Sequence, residues 1–362
     1  MRRSISVTIT LIIDDIDGID GIEHEATHSL IHQHFLALST RTMANAVINR
    51  SANTVVEEKR LLREKMQRWL SPPDPSLNHN IARSIHHAGT TSWFFQGDIF
   101  TQWKLSPSLL WIHGKRTSMI ALRYSTPVTP VTPLSVAGSG KSVLWFVIFC
   151  YSFLRPLRLS LSSGIIEDIK AQHEAGSAIM AYFYCDFRDK DKQNCRNLVL
   201  SIIYQLCAQS NLCCDTLSHI YLAHDEGTRK PSDETLIKSL TEMVSLLVQG
   251  PIYLIVDALD ECPNNSSGPG AREEVLDLIN SLVGLRLPNL YICITSRPEI
   301  DIQTTLEPLT PLCISLHNQS GQKADIVGFI RSLVYSDPKM RRWREEDKIL
   351  VIDKLSEGAD GM

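Results

Sequence analysis

The stretch at residues 252–262, IYLIVDALDEC, constrains the fold of this chain more than any other part of the sequence. A run of strand-forming apolar residues leads directly into Asp257, and two further acids, Asp260 and Glu261, follow a few residues later. Strands buried on both faces have such unbroken apolar runs, and open parallel sheets bind ligands at the carboxyl ends of their strands. The stretch therefore predicts an inner strand of a parallel α/β sheet, with its acids at the ligand-binding edge.

This arrangement is typical of a Walker B segment, which holds a magnesium ion beside a nucleotide. In that role Asp257 would hold Mg²⁺ through its water shell, because hard cations prefer carboxylate oxygen. Asp260 or Glu261 would polarise the water that attacks a γ-phosphate. The alternative is a buried strand that ends in a solvated acidic turn, and this stretch alone does not decide between the two interpretations.

A Walker B strand needs a phosphate cradle upstream, and part of one is present. The run GSGKS at residues 138–142 supplies the second half of the pattern G-x-x-x-x-G-K-S/T. Its glycines let backbone N–H groups approach phosphate, its lysine faces the β- and γ-phosphate oxygens, and its last serine offers a hydroxyl to Mg²⁺. The first glycine is missing, because Ser135 stands at that position. The candidate nucleotide-binding residues in this run are Gly138, Ser139, Gly140, Lys141 and Ser142.

Two unusual stretches interrupt this cradle. A strand predicted at residues 109–113 stops at Gly114, the natural first glycine of the pattern. Residues 116–136 follow, and their three Thr-Pro steps suit an extended loop. Residues 145–163 then place aromatic and β-branched side chains where the helix after the cradle should continue. Without both inserts the sequence becomes GKAGSGKS between a strand and a helix, which is the full spacing of the pattern.

Hydrophobic periodicity predicts the remaining elements of the sheet and its helices. Alternating strands and helices imply a doubly wound parallel sheet with right-handed crossovers. The predicted strands lie at 178–183 and 290–294, and the predicted helices at 41–70, 197–208, 273–283, 326–334 and 345–355.

Length, charge and cysteine content limit which kinds of protein this chain can be and which partners it can bind. The 362 residues allow two or three domains, and the net charge of −4 does not favour nucleic acid as a partner. The nine cysteines include no C-x-x-C pair, which indicates buried thiols in a reducing compartment, not a disulfide framework or zinc ribbon. The N-terminus has a basic start and a short apolar run but reaches Asp14 and Asp15 without the small-residue cleavage site of a secretory signal. The most apolar stretch, residues 143–154, is too short to span a bilayer. We therefore expect a cytoplasmic protein without a membrane partner.

One further motif indicates different chemistry. Residues 24–28 spell H-E-x-x-H, the spacing with which zinc proteases place two imidazoles on one metal. The extended form of that pattern needs a glycine where Ile31 stands, and the segment ahead is too short for a protease sheet. With 12 histidines in the chain, we attribute the match to chance and reject the zinc interpretation.

Six stretches, taken in order, carry a resemblance to one family. They are WLSPPDPSLNHNIA, SWFFQGDIFTQW, AYFYCDFRD, NLVLSIIYQL, IYLIVDALDEC and LYICITSRPE. Together they resemble the NACHT module of fungal STAND-type NTPases, often described as a nephrocystin 3-like N-terminal domain. The resemblance covers the chain from about Trp69 to the C-terminus, apart from the two inserts.

The resemblance implies a fold, a cofactor and roles for particular residues. The implied fold is an α/β P-loop NTPase, a three-layer α/β/α domain with a parallel sheet, here preceded by a helical N-terminal segment. The implied cofactor is ATP or GTP with Mg²⁺, and Asp257, Asp260 and Glu261 match the family's acidic cluster. Arg297 resembles the sensor arginine that follows the fourth strand and faces the γ-phosphate; the alternative is a surface arginine before a turn proline.

The predicted organisation has three parts. Residues 1–75 form a helical segment and linker, residues 76–318 the nucleotide domain, and residues 319–362 the start of a helical extension. In the family this extension precedes winged-helix and repeat regions, through which self-association or protein partners would act. The predicted function is nucleotide binding and slow hydrolysis as a signalling switch. The alternative is a scaffold or oligomerisation fragment whose disrupted P-loop no longer binds nucleotide.

Overall fold

The computed structural model describes residues 54, 56–85, 91–114, 161–264, 270–316, 320–338 and 340–358. The chain divides into two compact units, Met1–Lys65 and Met66–Met362. In the first unit the described residues are helical and lie within the helix predicted at 41–70. There Arg60 forms ion pairs with Glu57 and Glu64, one turn away on either side. The H-E-x-x-H motif lies outside the described residues.

The second unit is built on five parallel strands. They are β1 Leu109–His113, β2 Ile179–Tyr184, β3 Ile252–Asp257, β4 Leu290–Ser296 and β5 Leu312–Ser315. Their order across the sheet is β2-β3-β4-β1-β5, and every neighbouring pair is parallel. The predicted parallel α/β fold is confirmed. In this order β4 lies between the strand expected to precede the phosphate cradle and the strand that carries the acids.

Helices connect and cover the strands. In chain order they are α1 Ser76–Ile85, α2 Ser92–Phe95, α3 Asp98–Leu105, α4 161–174, α5 Cys195–Gln209, α6 Asn211–Ala223, α7 Asp233–Leu246, α8 Ala271–Gly284, α9 Ile300–Leu306, α10 Ser320–Ser336 and α11 Glu345–Gly358. Short 3-10 turns lie at Lys190–Lys192, Leu259–Glu261 and Glu307–Leu309. Among the described helices, none combines the length and the apolar character that crossing a membrane requires.

The sheet is covered on both faces, because successive side chains of a strand point to opposite sides. On one face, Tyr253 and Ile255 pack in a cluster with residues of α3 and α4. On the other face, Leu254 and Val256 are 1% and 4% exposed. The inner strand β3 is therefore enclosed from both sides, which explains its unbroken apolar sequence and gives the domain its three layers.

Two glutamines of α5 protect the edge strand β2. Gln205 accepts a hydrogen bond from the backbone N–H of Tyr182 at 3.0 Å and donates one to the carbonyl of Tyr182 at 2.8 Å. Gln209, one turn later, makes the same pair of bonds to Met180, at 3.0 and 2.7 Å. These bonds satisfy backbone groups of the edge that would otherwise be open to pairing with another strand.

Helix α4 begins before the insert boundary predicted at residue 163. Leu161, Ser162 and Ser163 are already helical, and all three are buried. The last three residues of the predicted second insert therefore belong to the packed domain, because all three are buried, Leu161 in the core cluster and Ser162 against Asp257. The rest of that insert and the whole of residues 116–136 lie outside the described residues.

After β5 the chain forms a hairpin of two helices, α10 and α11. The hairpin has a small apolar core of its own, made of Ile330, Val334, Met340, Ile352 and Leu355. Because these residues pack against one another, the two helices behave as one packing unit at the end of the chain.

Candidate functional site

The carboxyl edge of the sheet gathers the site around Asp257, the last residue of β3. Only 3% of this residue is exposed. Its Oδ1 accepts hydrogen bonds from the hydroxyls of Ser162, in α4, and Thr295, near the end of β4. Two hydroxyls from different elements therefore fix the carboxylate at the edge of the inner strand.

Thr295 also shapes the turn that follows Asp257. Ala258 has left-handed backbone angles, φ 56° and ψ 46°, so the chain changes direction immediately after the strand. The backbone N–H of Ala258 donates to the Thr295 hydroxyl at 2.9 Å. The N–H of Glu261 closes the turn on the Ala258 carbonyl at 2.8 Å. One threonine thus positions both the buried carboxylate and the turn that carries the other two acids.

Asp260 pairs with Arg297, which follows β4. The Asp260 side chain is 4% exposed, and its Oδ1 accepts a hydrogen bond from the Arg297 backbone N–H at 2.9 Å. The Arg297 Nε lies 3.3 Å from Oδ2 of the same carboxylate, and 44% of the arginine side chain is exposed. The structure brings these two predicted site residues together, and Asp260 orients an arginine whose far end reaches solvent.

Glu261 contacts a different neighbour. Its Oε2 accepts a hydrogen bond from the backbone N–H of Phe187, in the loop after β2, at 3.1 Å. Glu261 is half-buried, whereas the Asp260 carboxylate is enclosed. The sequence left Asp260 and Glu261 as equal candidates for polarising the attacking water. The structure distinguishes them, because of the two only Glu261 combines a fixed backbone partner with access to water.

Arg272, at the start of α8, ties together the loops that carry the acids and the arginine. Its side chain is 8% exposed. Nη2 donates to the Asp260 carbonyl at 2.7 Å, and Nε donates to the Cys262 carbonyl at 3.0 Å. Nη1 lies 3.2 Å from a carboxylate oxygen of Asp301, in α9. A single guanidinium therefore sets the position of the acidic turn relative to the segment that follows Arg297.

Gly114 lies at the same edge of the sheet, directly after β1. Strand β1 pairs with β4 so that His113 stands opposite Ser296, and the Trp111 indole N–H donates to the Ser296 hydroxyl at 2.8 Å. The rest of the predicted cradle lies outside the described residues. These residues are Gly138, Ser139, Gly140, Lys141 and Ser142.

Two cysteines lie buried beside the acids. The Sγ atoms of Cys185 and Cys262 lie 3.5 Å apart, and both residues are buried. The hydrogen bond from Cys262, together with burial, raises the pKa of the Cys185 thiol well above its usual value. An enclosed, protonated thiol reacts weakly, so we do not count Cys185 as a nucleophile of this site.

Three residues of the site were not among the sequence predictions. Thr295 had a usable signal, because a polar residue at the end of an apolar strand faces the ligand edge. Ser162 lies within the stretch predicted to be an insert, and Arg272 resembles any charged residue in the first turns of a helix. Their roles depend on partners from other elements.

Comparison with known proteins identifies part of the chain. Residues 159–297 match the family described as "Nephrocystin 3, N-terminal". Over 155 residues the chain is 28% identical to the vegetative incompatibility protein HET-E-1 of Podospora anserina. That match covers 41% of this chain and about a tenth, 10%, of the length of the relative. The family match at residues 159–297 includes the acidic turn after β3.

Proposed function

We propose that this chain binds ATP or GTP with Mg²⁺ and hydrolyses the nucleotide slowly as a signalling switch. The premise is its family, since the chain is a NACHT-like, nephrocystin 3-like protein with a module of the STAND NTPase type at family level. The observation that carries this proposal is Asp257. It is buried at the end of an inner parallel strand and fixed by the hydroxyls of Ser162 and Thr295. A carboxylate held in this way at the ligand-binding edge suits a metal–phosphate group.

The donors around Asp257 also suit the proposed cation. Carboxylate and hydroxyl oxygens are hard ligands, and Mg²⁺ commonly takes one or two from the protein while keeping waters and phosphate oxygens. Asp257 and the Ser142 hydroxyl would be the protein's contribution. When bound, Mg²⁺ neutralises charge on the β- and γ-phosphates.

The remaining residues divide the work of hydrolysis. Glu261, half-buried and held by the Phe187 N–H, would accept a proton from the attacking water. Asp260 would position Arg297 and take no proton, because its carboxylate is already paired with that arginine. Arg297, partly exposed, would contact the γ-phosphate. Gly114 and the GSGKS run would bind the phosphate chain through backbone N–H groups and Lys141.

The proposed setting follows from the same assignment. We place the protein in the cytosol, where nucleotide and reduced thiols are both available. Its further proposed partners are other copies of the chain or proteins recognised by regions beyond the nucleotide module.

Thermal unfolding with nucleotide tests the proposal. Mg·ATP or Mg·GTP at about 100 times its Kd should stabilise the folded state by about 2.7 kcal/mol and raise Tm by about 5 °C. The measurement is made on the full chain and on a form without residues 116–136 and 145–160, which keeps all of α4. Asp257→Asn should remove the Mg²⁺-dependent part of the shift, whereas the exposed Asp353→Asn on α11 should not.

Comparing the full chain with the excised form distinguishes an intact nucleotide site from an interrupted one. We expect a larger shift in the excised form, because the inserts separate Gly114 from the rest of the cradle. A shift in the excised form alone would indicate that the full chain acts as a scaffold with an interrupted P-loop. No shift in either form, with both nucleotides, would contradict nucleotide binding.

A further inference from the structure

We propose that α2 is a mechanical link between α4, the helix at the candidate phosphate edge, and the hairpin formed by α10 and α11. Through this link, a displacement of α4 would be transmitted to the end of the chain. The proposal goes beyond nucleotide binding and does not require it, since the link is made by contacts within the protein.

The contact between α2 and α10 combines two hydrogen bonds with close packing. Oδ2 of Asp325 accepts a hydrogen bond from the Thr91 backbone N–H at 2.6 Å and another from the Trp93 indole N–H at 2.9 Å. One turn earlier on α10, a Cβ on Gly321 would stand 2.3 Å from Cγ of Trp93. Helix α10 is therefore held against Trp93 at a distance that only glycine permits.

The contact between α2 and α4 is also close at a glycine. A Cβ on Gly164 would stand 3.0 Å from Cζ of Phe95 and 3.7 Å from the Thr91 hydroxyl. Gly164 lies two residues after Ser162, whose hydroxyl bonds Asp257. The same short segment thus contacts Gly164 of α4 on one side and α10 on the other.

Thr91 has a backbone conformation that suits a two-state element. Its φ is +71°, a left-handed value that β-branched residues rarely adopt. Such strain persists only where surrounding contacts hold it, and here the Thr91 N–H is bound to Asp325. Releasing Asp325 would remove one of the contacts that hold Thr91, whose carbonyl also accepts from the Phe94 N–H, so that α10 and the strained segment change together. The hairpin would follow as a unit, because α10 and α11 share a core.

Hydrogen exchange of two matched glycine variants tests the first contact. Gly321 and Gly328 both lie on α10, but a Cβ at Gly328 would meet nothing within 4 Å. Alanine favours the helix interior over glycine, so Gly328→Ala should not weaken α10, whereas Gly321→Ala, in the first turn, introduces the clash with Trp93. Gly321→Ala should speed exchange of α10–α11 amides by about 10- to 100-fold, whereas Gly328→Ala should not. Equal exchange in the two variants would overturn the proposed contact.

Substitutions in α4 and in α10, made without nucleotide, test whether a displacement passes between α4 and the α10–α11 hairpin. Gly164→Val on α4 should speed exchange in α10–α11 by about tenfold or more, whereas Gly284→Val, where a Cβ meets nothing within 4 Å, should not. Because coupling is reciprocal, Asp325→Ala should speed exchange at residues 161–168 of α4. If Gly164→Val unfolds the whole domain, the Asp325→Ala arm decides. Effects confined to the side of each substitution would overturn the link, whatever the result of the nucleotide experiment.

Discussion

Replacing Arg272 with methionine tests whether one buried guanidinium holds the acidic turn in place. Methionine has a similar length but no N–H donors. The carbonyls of Asp260 and Cys262 would lose donors that now lie 2.7 and 3.0 Å away. Each buried acceptor left without a donor costs about 1–2 kcal/mol.

The ion pair contributes less to the expected loss. The Asp301 side chain is 31% exposed, so solvent screens its attraction to Arg272 and the pair is worth no more than about 1 kcal/mol. We therefore expect Arg272→Met to lower the free energy of unfolding by about 2–5 kcal/mol. Urea unfolding followed by circular dichroism measures this loss. With m near 3 kcal/mol/M, the midpoint should fall by about 1–2 M.

Two further variants make the result specific. Arg342 is exposed, so Arg342→Met should change the midpoint by less than about 0.2 M. Arg272→Lys keeps the charge but not the planar set of donors, and it should recover only part of the stability. A loss below about 1 kcal/mol for Arg272→Met, equal to that of Arg342→Met, would refute the reasoning.

The other predictions concern catalysis, the sheet edge and pH. In a form that binds nucleotide, Glu261→Gln should slow single-turnover hydrolysis by about 10²–10⁴-fold without loss of binding. Asp260→Asn should slow it less, and equal losses in both variants would contradict their separate roles. Gln205→Leu should cost about 2–3 kcal/mol in urea unfolding, because a backbone N–H and a carbonyl of β2 lose their partner. Burial raises the pKa of Glu167, but the hydrogen bond from His79 and nearby cations outweigh burial and lower the pKa below its ordinary 4.5. The stability advantage over Glu167→Gln should therefore be full above pH 4.5 and disappear as the pH falls through the lowered pKa, which unfolding across pH 3–7 would measure.

The two strands that flank the site differ in how well the sequence predicts them. Strand β1 was predicted at residues 109–113 and lies at Leu109–His113, because an apolar run that stops at a glycine is a local property. Strand β4 was predicted to end at residue 294 but continues through Thr295 and Ser296. These two polar residues are buried because Asp257 and Trp111 of neighbouring strands supply their hydrogen bonds.

The sequence by itself determined the parallel α/β class and the acids at the end of a buried strand, because both follow from side-chain patterns within one element. Tertiary structure alone decided which strands are neighbours. Asp257 and Thr295 are 38 residues apart in the chain, and only the position of β4 beside β3 lets the hydroxyl reach the carboxylate. Because β4 lies beside β3, Arg297 pairs with Asp260, and Glu261 is left facing water. No pattern within a single element predicts this difference between the two acids.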